Sequence, residues 1–243
     1  MRHRTTRGKA VYYAGQGEGA RYAGCEWFSL TRMADGQQVL RAQCELLAGL
    51  IAPREVLREV TYVADAQFRP IECFNRVHVD GAFAGSGWMN FTADALTCES
   101  TSAAHGRISQ TVVLTSPALS LCSHPLSTDA MALARYDHGD PAPIQHQAQY
   151  WMSSMEHDGG AAPMPGSLAL DIEYCGRETV TVPAGTFETD HYRFLIGEAS
   201  GSTNEPHPTE DLWCTPGDYI FVKATVGGHM NGSFELVEHS PWE

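Results

Sequence analysis

Ionisable side chains alternate along two strand-like segments of the chain, and their types are those used in acid–base catalysis. Glu72, Arg76 and His78 share a parity in segment 71–79, and His191 and Arg193 stand two residues apart in segment 187–194. Alternate residues of a strand point to the same face, so each group is expected to share one wall. An imidazole exchanges protons near neutral pH, and a guanidinium binds a carboxylate through paired hydrogen bonds. The pattern therefore predicts proton transfer on a small organic acid.

Aromatic and further polar residues complete the predicted site, an apolar pocket with a few convergent polar groups. The predicted catalytic residues are His78, His191, Glu72 and Tyr192. The predicted substrate-binding residues are Arg76, Arg193, Arg58, Tyr62, Trp88 and Trp213, with Trp27, Phe28, Phe91 and Tyr219 as further wall candidates. The alternative is that these polar faces contact water and that the aromatic side chains form the core.

The histidines also permit a metal site. His78 and Asp80 share a strand parity, and an imidazole and a carboxylate with one further histidine would form a facial triad. The candidate third ligands are His191, His105 and His229. Asp80 precedes Gly81, however, and Asp-Gly is typical of a turn, so the turn is favoured. We predict neither a metal nor a cofactor.

Charge and composition exclude several functional classes. The formal net charge is −13, and the 16 basic residues are scattered, so neither nucleic acid nor an anionic membrane is an expected partner. No phosphate-binding loop is present, and Gly85-Ser86-Gly87 is not a nucleophile elbow. Seven dispersed cysteines without a C-x-x-C pair predict reduced, mostly buried thiols.

The start of the chain bears on localisation. MRHRTTRGKAVYYAGQGEG is basic but contains no apolar stretch long enough for a signal peptide, and no segment reaches the ~18 apolar residues of a membrane span. A cytoplasmic protein is the resulting expectation. The sequence leaves the oligomeric state open.

Period-two alternation is the main structural signal, and it predicts strands joined by tight turns. Turns are expected at residues 34–36, 64–66, 80–81 and 92–94, which divide the first part of the chain into successive hairpins. A single domain of 243 residues follows, with a strand meander over 10–116, an insertion over 117–166 and further strands over 167–239. The predicted fold is mainly β, an antiparallel meander that forms a curled sheet or incomplete β-barrel.

The insertion is rich in Pro, Gly, His and Met, and long irregular segments of this kind are often lids. Its one clear regular element is STDAMALARYD, a short helix for which Ser127 or Thr128 is the expected N-cap. The fold therefore carries one loop-rich, partly helical insertion, expected to close over a pocket.

One hairpin resembles a known family. The pattern V-x-V-P-A-G-T-F at 180–187 is followed by a strand containing Asp211-Leu212-Trp213 and by TPGDYIFVKATV. This C-terminal third is similar to an uncharacterised, β-rich bacterial family of unknown function. The resemblance implies an extended antiparallel sheet curled into a half-barrel, and its members are typically exported.

Three functions are compatible with these features. The first is a cofactor-independent lyase, decarboxylase or isomerase acting on a small aromatic or apolar organic acid by acid–base catalysis. The second is a non-catalytic binder or carrier of an apolar ligand in the same pocket. The third is an accessory protein whose exposed sheet edge recruits a partner chain.

Overall fold

The computed structural model describes residues 3–196 and 207–243. The first eight strands are β1 His3–Ala14, β2 Arg21–Met33, β3 Gln38–Leu46, β4 Val56–Ala64, β5 Pro70–Val79, β6 Ala82–Phe91, β7 Ala95–Ser102 and β8 Gly106–Val113. The remaining elements are β9 Leu121–Cys122, the helix α1 Leu126–Ala132, β10 Ile144–Met152, β11 Gly166–Val182, β12 Gly185–Ile196, β13 Glu210–Cys214, β14 Phe221–Val226 and β15 Gly232–Ser240. The predicted C-terminal strand region includes residues 197–206, which lie outside the described ranges.

The strands form one 15-stranded sheet in the order β8-β7-β6-β5-β4-β3-β2-β1-β15-β14-β13-β12-β11-β10-β9. Every neighbouring pair is antiparallel except β9 and β10, which are parallel. The first and last strands of the chain, β1 and β15, pair in the middle of the sheet. The sheet is open, with β8 and β9 as its edges, and the prediction of a mainly β, curled antiparallel fold is confirmed.

The connection between the two edges explains the curl. Fifteen strands at a spacing of about 4.8 Å would separate the edges of a flat sheet by roughly 67 Å. The chain passes from β8 to β9 through residues 114–120 only, and a fully extended segment of this length spans at most about 28 Å. The sheet must therefore bend until its edges approach each other.

The predicted turns lie where the sequence places them. The turn at 80–81 joins β5 and β6 through Asp80 and Gly81, whose φ angles are 51° and 74°. Positive φ at both central residues matches a type I′ hairpin, whose twist suits the flanking strands. The Asp80 carboxylate accepts the backbone N–H of Glu55 at 3.1 Å. Asp80 is therefore a turn residue, as the sequence analysis favoured over a role as metal ligand.

The inner face of the sheet carries two groups of buried apolar side chains. The first includes Leu40, Tyr62 and Met89 from strands β3–β6, and the second includes Tyr192, Leu212 and Phe234 from strands β12–β15. Helix α1 lies between them, because its Met131 belongs to the first group and its Leu126 and Ala130 to the second. Part of the insertion therefore fills the interior of the curled sheet. The expectation that the helix is its one regular element is wrong, because residues of the insertion also form β9 and β10, which pair at the edge of the sheet.

The N-terminus of α1 is bound by a residue from the sheet rather than capped locally. The expectation that Ser127 or Thr128 caps the helix is wrong, since Pro125 occupies the cap position and no side chain caps it. Glu26 of β2 instead accepts the backbone N–H groups of Leu126 and Ser127 at 2.8 and 3.3 Å. The helix is buried against the sheet, so a carboxylate from a distant strand can reach the donors that a local cap would otherwise satisfy.

The β11–β12 hairpin extends past its neighbours, and its tip packs on the core. The two-residue turn Pro183-Ala184 joins Val182 to Gly185, and the Ala184 N–H donates to the carbonyl of Leu236 in β15 at 3.1 Å. Val182 is buried in the first apolar group, with Phe187 packed against it. The hairpin tip thus covers part of the interior of the curled sheet.

We expect Val182→Ala to lower the free energy of unfolding by on the order of 1–2 kcal/mol, because it removes two buried methyl groups from the hairpin tip. Val113→Ala is the matched control, since Val113 of β8 is 80% exposed and the same substitution there should change stability by less than about 0.5 kcal/mol. Urea unfolding of both variants measures the difference. Equal losses would contradict the packing of the hairpin tip on the core.

Candidate functional site

The predicted site residues of β5 and β6 lie on the outer face of the sheet. Trp88 is 41% exposed, and its Nε1–H donates to Glu72 at 3.1 Å. Arg76 forms an exposed ion pair with Glu59 at 3.8 Å. His78 alternates with the buried Val77 and so faces outward as well. The four side chains of Glu72, Arg76, His78 and Trp88 therefore point away from the apolar interior.

Three predicted residues of β12 and β13, His191, Arg193 and Trp213, form a second group on the outer face. His191 stacks on Trp213 with ring centroids 4.1 Å apart. Its Nε2 lies 2.8 Å from Asp211, whose same oxygen accepts the Nε–H of Arg193 at 3.0 Å. His191 and Arg193 therefore share a face, as their parity predicts, but that face is the outer one.

The other three predicted residues are interior and separated. Arg58 is 2% exposed and donates to the backbone carbonyl of Asp158 at 2.9 Å. Burial lowers the pKa of its guanidinium, which the nearby Asp158 partly opposes. Tyr62 is in the first apolar group, and the Tyr192 hydroxyl lies 2.8 Å from His138 Nε2. The structure thus distributes the ten predicted residues over separate places and does not bring them together in one pocket.

The further wall candidates are also divided. Trp27 is exposed beneath Lys9, whose ammonium lies 4.9 Å from the ring centroid. Phe28 and Phe91 are core residues, and Tyr219 packs against the same core. Their aromatic rings therefore stabilise the fold rather than line one common cavity.

A cavity of about 180 Å³ opens in the interior, lined mostly by residues that follow β8 and also by Tyr12, Leu46 and Ile51. It contains none of the ten predicted residues. Its apolar walls are Leu46, Ile51, Leu126, Met152, Met155, Leu168, Leu170, Phe194, Ile196, Val226, Met230 and Phe234. Its polar lining comprises Tyr12, Cys122, His124, Asp129, Tyr150, Ser154, Glu156, His157, Asp158, His207 and Glu210. Apolar walls with a few polar groups are typical of a small-molecule site.

Two carboxyl groups define the chemistry of this cavity. Burial, reinforced by the charge of Asp129, raises the pKa of Glu210 to about 8. Burial likewise raises the pKa of Asp129 to about 7, with Glu26 contributing in the same direction. Asp129 Oδ1 accepts the Tyr150 hydroxyl at 3.4 Å. Glu210 is only partly buried as a residue, yet its Oε1 is shielded from solvent and has no hydrogen-bond partner among the described residues.

Elements of the fold position both carboxyl groups. Glu210 begins β13 and shares its parity with Leu212 and Cys214, which are fully buried. Asp129 belongs to α1, whose orientation is held by Glu26. That carboxylate also accepts the Tyr12 hydroxyl at 2.7 Å, and burial raises the pKa of both Tyr12 and Glu26.

His124 forms a neutral part of the wall. Its Nε2 lies 3.2 Å from the backbone carbonyl and 3.1 Å from the hydroxyl of Ser154. Burial lowers the pKa of His124 well below its usual value, and the charge of Arg58 acts in the same direction. The imidazole is therefore uncharged at neutral pH.

The charges of the lining residues favour one kind of ligand. Among the described residues, no lysine or arginine lines the cavity, whereas Asp129, Glu156, Asp158 and Glu210 do. A carboxyl group without a cation remains protonated when it is buried, and it ionises readily when a cation arrives. The part of the cavity lining that the structure describes can therefore accept a positively charged group and offers no lysine or arginine to an anion.

Sequence reasoning missed this site for different reasons at its two acids. The alternation Glu210, Leu212, Cys214 in EDLWC is visible in the sequence and places a glutamate on an apolar face. Asp129 has no comparable signal, because its surroundings come from strands distant in the sequence. The seven cysteines are unpaired and six are buried, as predicted, with Cys175 exposed.

Comparisons with known proteins support the fold alone. No family model and no curated protein matches the chain. A β-barrel-like protein of a domain of unknown function (DUF1849) from Brucella abortus is 10% identical, with a TM-score of 0.55 over 98% of this chain and 97% of that one. This similarity supports a β-barrel-like architecture shared with proteins of unknown function.

Two other solved structures align over most of their length but less well. A putative lipoprotein from Parabacteroides distasonis has a TM-score of 0.35 at 8% identity, over 98% of this chain and 95% of that one. A putative exported protein with a YmcC-like fold from Bacteroides fragilis has a TM-score of 0.33 at 10% identity, with the same coverage. Within the described residues, no helix has the length and apolar character needed to span a bilayer.

The raised pKa of Glu210 predicts a specific pH dependence of stability. An acid whose pKa is higher in the folded than in the unfolded state stabilises the fold while protonated, and this contribution is lost as pH rises through the folded pKa of about 8. Glu210→Gln, which stays neutral, should gain stability over the wild type by on the order of 1 kcal/mol per pH unit from pH 6 to pH 8. Urea unfolding at several pH values measures this difference.

Glu238→Gln is the control, because the Glu238 side chain is 73% exposed and should track the wild type at every pH. A constant stability difference between Glu210→Gln and the wild type would show that Glu210 ionises normally.

Proposed function

We propose that the protein binds a small, mainly apolar ligand that carries an amino group. The ligand occupies the interior cavity, and its ammonium group lies against Glu210 and Asp129. One observation carries the proposal: two carboxyl groups of raised pKa face an apolar cavity whose described lining contains no lysine or arginine. The unpartnered Oε1 of Glu210 gains a hydrogen-bond donor when such a ligand binds.

The volume limits the ligand. A cavity of about 180 Å³ is of the order that holds a benzene-sized molecule. The apolar walls contribute the hydrophobic part of the affinity, and the acids supply selectivity for charge. A single-ring or short-chain amine satisfies both requirements. This proposal develops the binder alternative of the sequence analysis and replaces its unspecified ligand with a cationic one.

Acid–base catalysis remains a second proposal, and the pKa of Glu210 near 8 favours it. A carboxylic acid that keeps its proton at neutral pH is suited to donate that proton to a reacting group. The lyase or isomerase activity predicted from the sequence would then depend on Glu210 and Asp129. The organic acid predicted as substrate finds no lysine or arginine among the described residues that line the cavity, and this favours the binding function over the catalytic one.

We also propose that the chain shares the family suggested by its β11–β12 hairpin. The Val182-Pro183-Ala184-Gly185 turn docks on β15, which gives the motif a structural role in covering the interior. Localisation in the cytoplasm stays a prediction of the sequence, and so does the absence of a nucleic-acid partner.

We expect benzylamine to bind more tightly than benzyl alcohol, and benzoate to bind least. Below pH 8 the bound ammonium must displace a proton from Glu210, so the affinity for benzylamine should rise up to about 10-fold per pH unit between pH 6 and pH 8. Isothermal titration calorimetry with the three probes measures both effects. Glu210→Gln should remove most of the pH dependence, whereas Glu238→Gln should retain it.

Preferential binding of benzoate would overturn the amine proposal and support the organic acid. Equal affinity for all three probes would show that the walls alone recognise the ligand. Conversion of a probe to a new product, lost in Glu210→Gln, would favour the catalytic proposal.

A further inference from the structure

A β-bulge in β11 gathers polar side chains on the outer face of the sheet. Tyr174 pairs with Tyr192 and Gly176 pairs with His191, which leaves Cys175 as the extra residue between them. Gly176 has a backbone φ of +123°, a conformation that residues other than glycine rarely adopt. The bulge shifts the parity of the strand, so Glu178 reaches the face occupied by His191. Bulges commonly redirect side chains next to functional sites.

Three side chains of types that can bind a metal, from three adjacent strands, meet at this bulge. One ligand atom each of Cys175, His191 and Asp211 lies within 4.8 Å of the other two. His191 Nε2 and Asp211 Oδ1 are already 2.8 Å apart. The strands β11, β12 and β13 are paired in register around them, so the backbone holds the three positions rigidly. Cys175 is exposed, which leaves the group open to solvent.

A second layer of contacts orients the imidazole. His191 Nδ1 lies 3.4 Å from the carboxylate of Glu178. The same carboxylate accepts the Trp213 indole N–H at 2.6 Å, and the Trp213 ring stacks on His191. A metal-binding histidine usually donates its second ring N–H to a carboxylate, which fixes the tautomer and leaves the other nitrogen free for the metal. At 3.4 Å the Glu178 carboxylate is an ion-pair neighbour of His191 Nδ1 and is placed to take this role.

We propose that Cys175, His191 and Asp211 bind a zinc ion on the outer face of the sheet. Sulfur, nitrogen and oxygen donors in one group suit Zn²⁺ rather than Mg²⁺ or Ca²⁺, which prefer oxygen alone. Three protein ligands leave one tetrahedral position for water or an exchangeable ligand, the arrangement of catalytic rather than structural zinc sites. Glu178 is a positioning residue that acts through His191.

The surrounding charges fit a divalent cation. Arg193 contacts Asp211 at 3.0 Å and Glu173 at 3.2 Å. With the carboxylate of Glu178 nearby, three acids face this guanidinium and the Lys223 ammonium, which lies 5.4 Å from the centroid of the Trp213 ring. When zinc binds, Arg193 can keep its contact with Glu173 while Asp211 turns to the metal. A cysteine binds zinc as its thiolate, so the Cys175 thiol must lose its proton on binding and zinc affinity should increase with pH.

The test is titration of the chelator-treated full-length protein with Zn²⁺, and with Co²⁺ as a spectroscopic probe. We expect one equivalent of Zn²⁺ to bind, more tightly at pH 8 than at pH 6.5, and Co²⁺ to give the thiolate charge-transfer and visible bands of a tetrahedral site. Cys175→Ser should abolish the charge-transfer band and weaken binding by roughly 100-fold, and Glu178→Gln should weaken it about 10-fold. Ca²⁺ should not compete.

His146→Ala is the matched control. His146 lies 2.7 Å from Asp171 across β10 and β11, so it forms a histidine–carboxylate pair without a cysteine and its loss should leave zinc binding unchanged. Thermal unfolding of each variant establishes that the fold is retained; Cys175 is exposed, so its replacement by serine should be tolerated. Absence of stoichiometric binding, binding unchanged in Cys175→Ser, or an equal loss in His146→Ala would each overturn the proposal.

Discussion

The short connection between the two edge strands is the constraint on which the structure depends. Residues 114–120 join β8 to β9 across the opening of a 15-stranded sheet, and their limited reach forces the sheet to curl. Curling creates a concave surface too large for the side chains of the strands alone to fill. The chain that follows the connection supplies the missing volume, because α1 enters the interior and contacts both apolar groups.

Filling a curled sheet with a helix brings polar backbone into the core, and this accounts for the buried carboxylate of Glu26. The N–H groups that begin α1 require acceptors, and Glu26 provides them from β2. An acid in such a place is satisfied by its hydrogen bonds, so its role is structural. Glu210 differs, because its Oε1 is shielded without a described partner. A buried polar atom left unsatisfied destabilises the fold, and binding of a ligand is one reason for a protein to retain it.

The two faces of the sheet thus carry different chemistry. The inner face combines an apolar cavity with two acids whose pKa values are raised, to about 7 for Asp129 and about 8 for Glu210. The outer face carries ion pairs and the group around Cys175, where a bulge rather than the fold as a whole determines which side chains meet. Because β12 contributes Phe194 to one face and His191 to the other, a ligand at either site contacts the same strand.

Local features of the sequence were sufficient to predict most of the strands, the turns and the curled sheet, but not β9 and β10, which lie in the segment predicted to be irregular. Period-two alternation and Asp-Gly pairs act over a few residues, and the structure preserves them at Asp80-Gly81. The shared faces of Glu72 with Arg76, and of His191 with Arg193, were likewise readable from parity. Only the tertiary structure decided that these faces point outward, because the side toward which a sheet curls depends on what fills its interior.

The same distinction holds for the sites. Parity in EDLWC could have identified Glu210 as an acid among buried neighbours, since Leu212 and Cys214 share its face. The sequence could not show that Asp129 would join it, because the path of α1 depends on contacts with Glu26 a hundred residues away. Nor could it show Cys175 beside His191, since a bulge changes the parity on which such reasoning rests. Local alternation along the chain determines where strands form, whereas each candidate site depends on side chains that only the folded structure brings together.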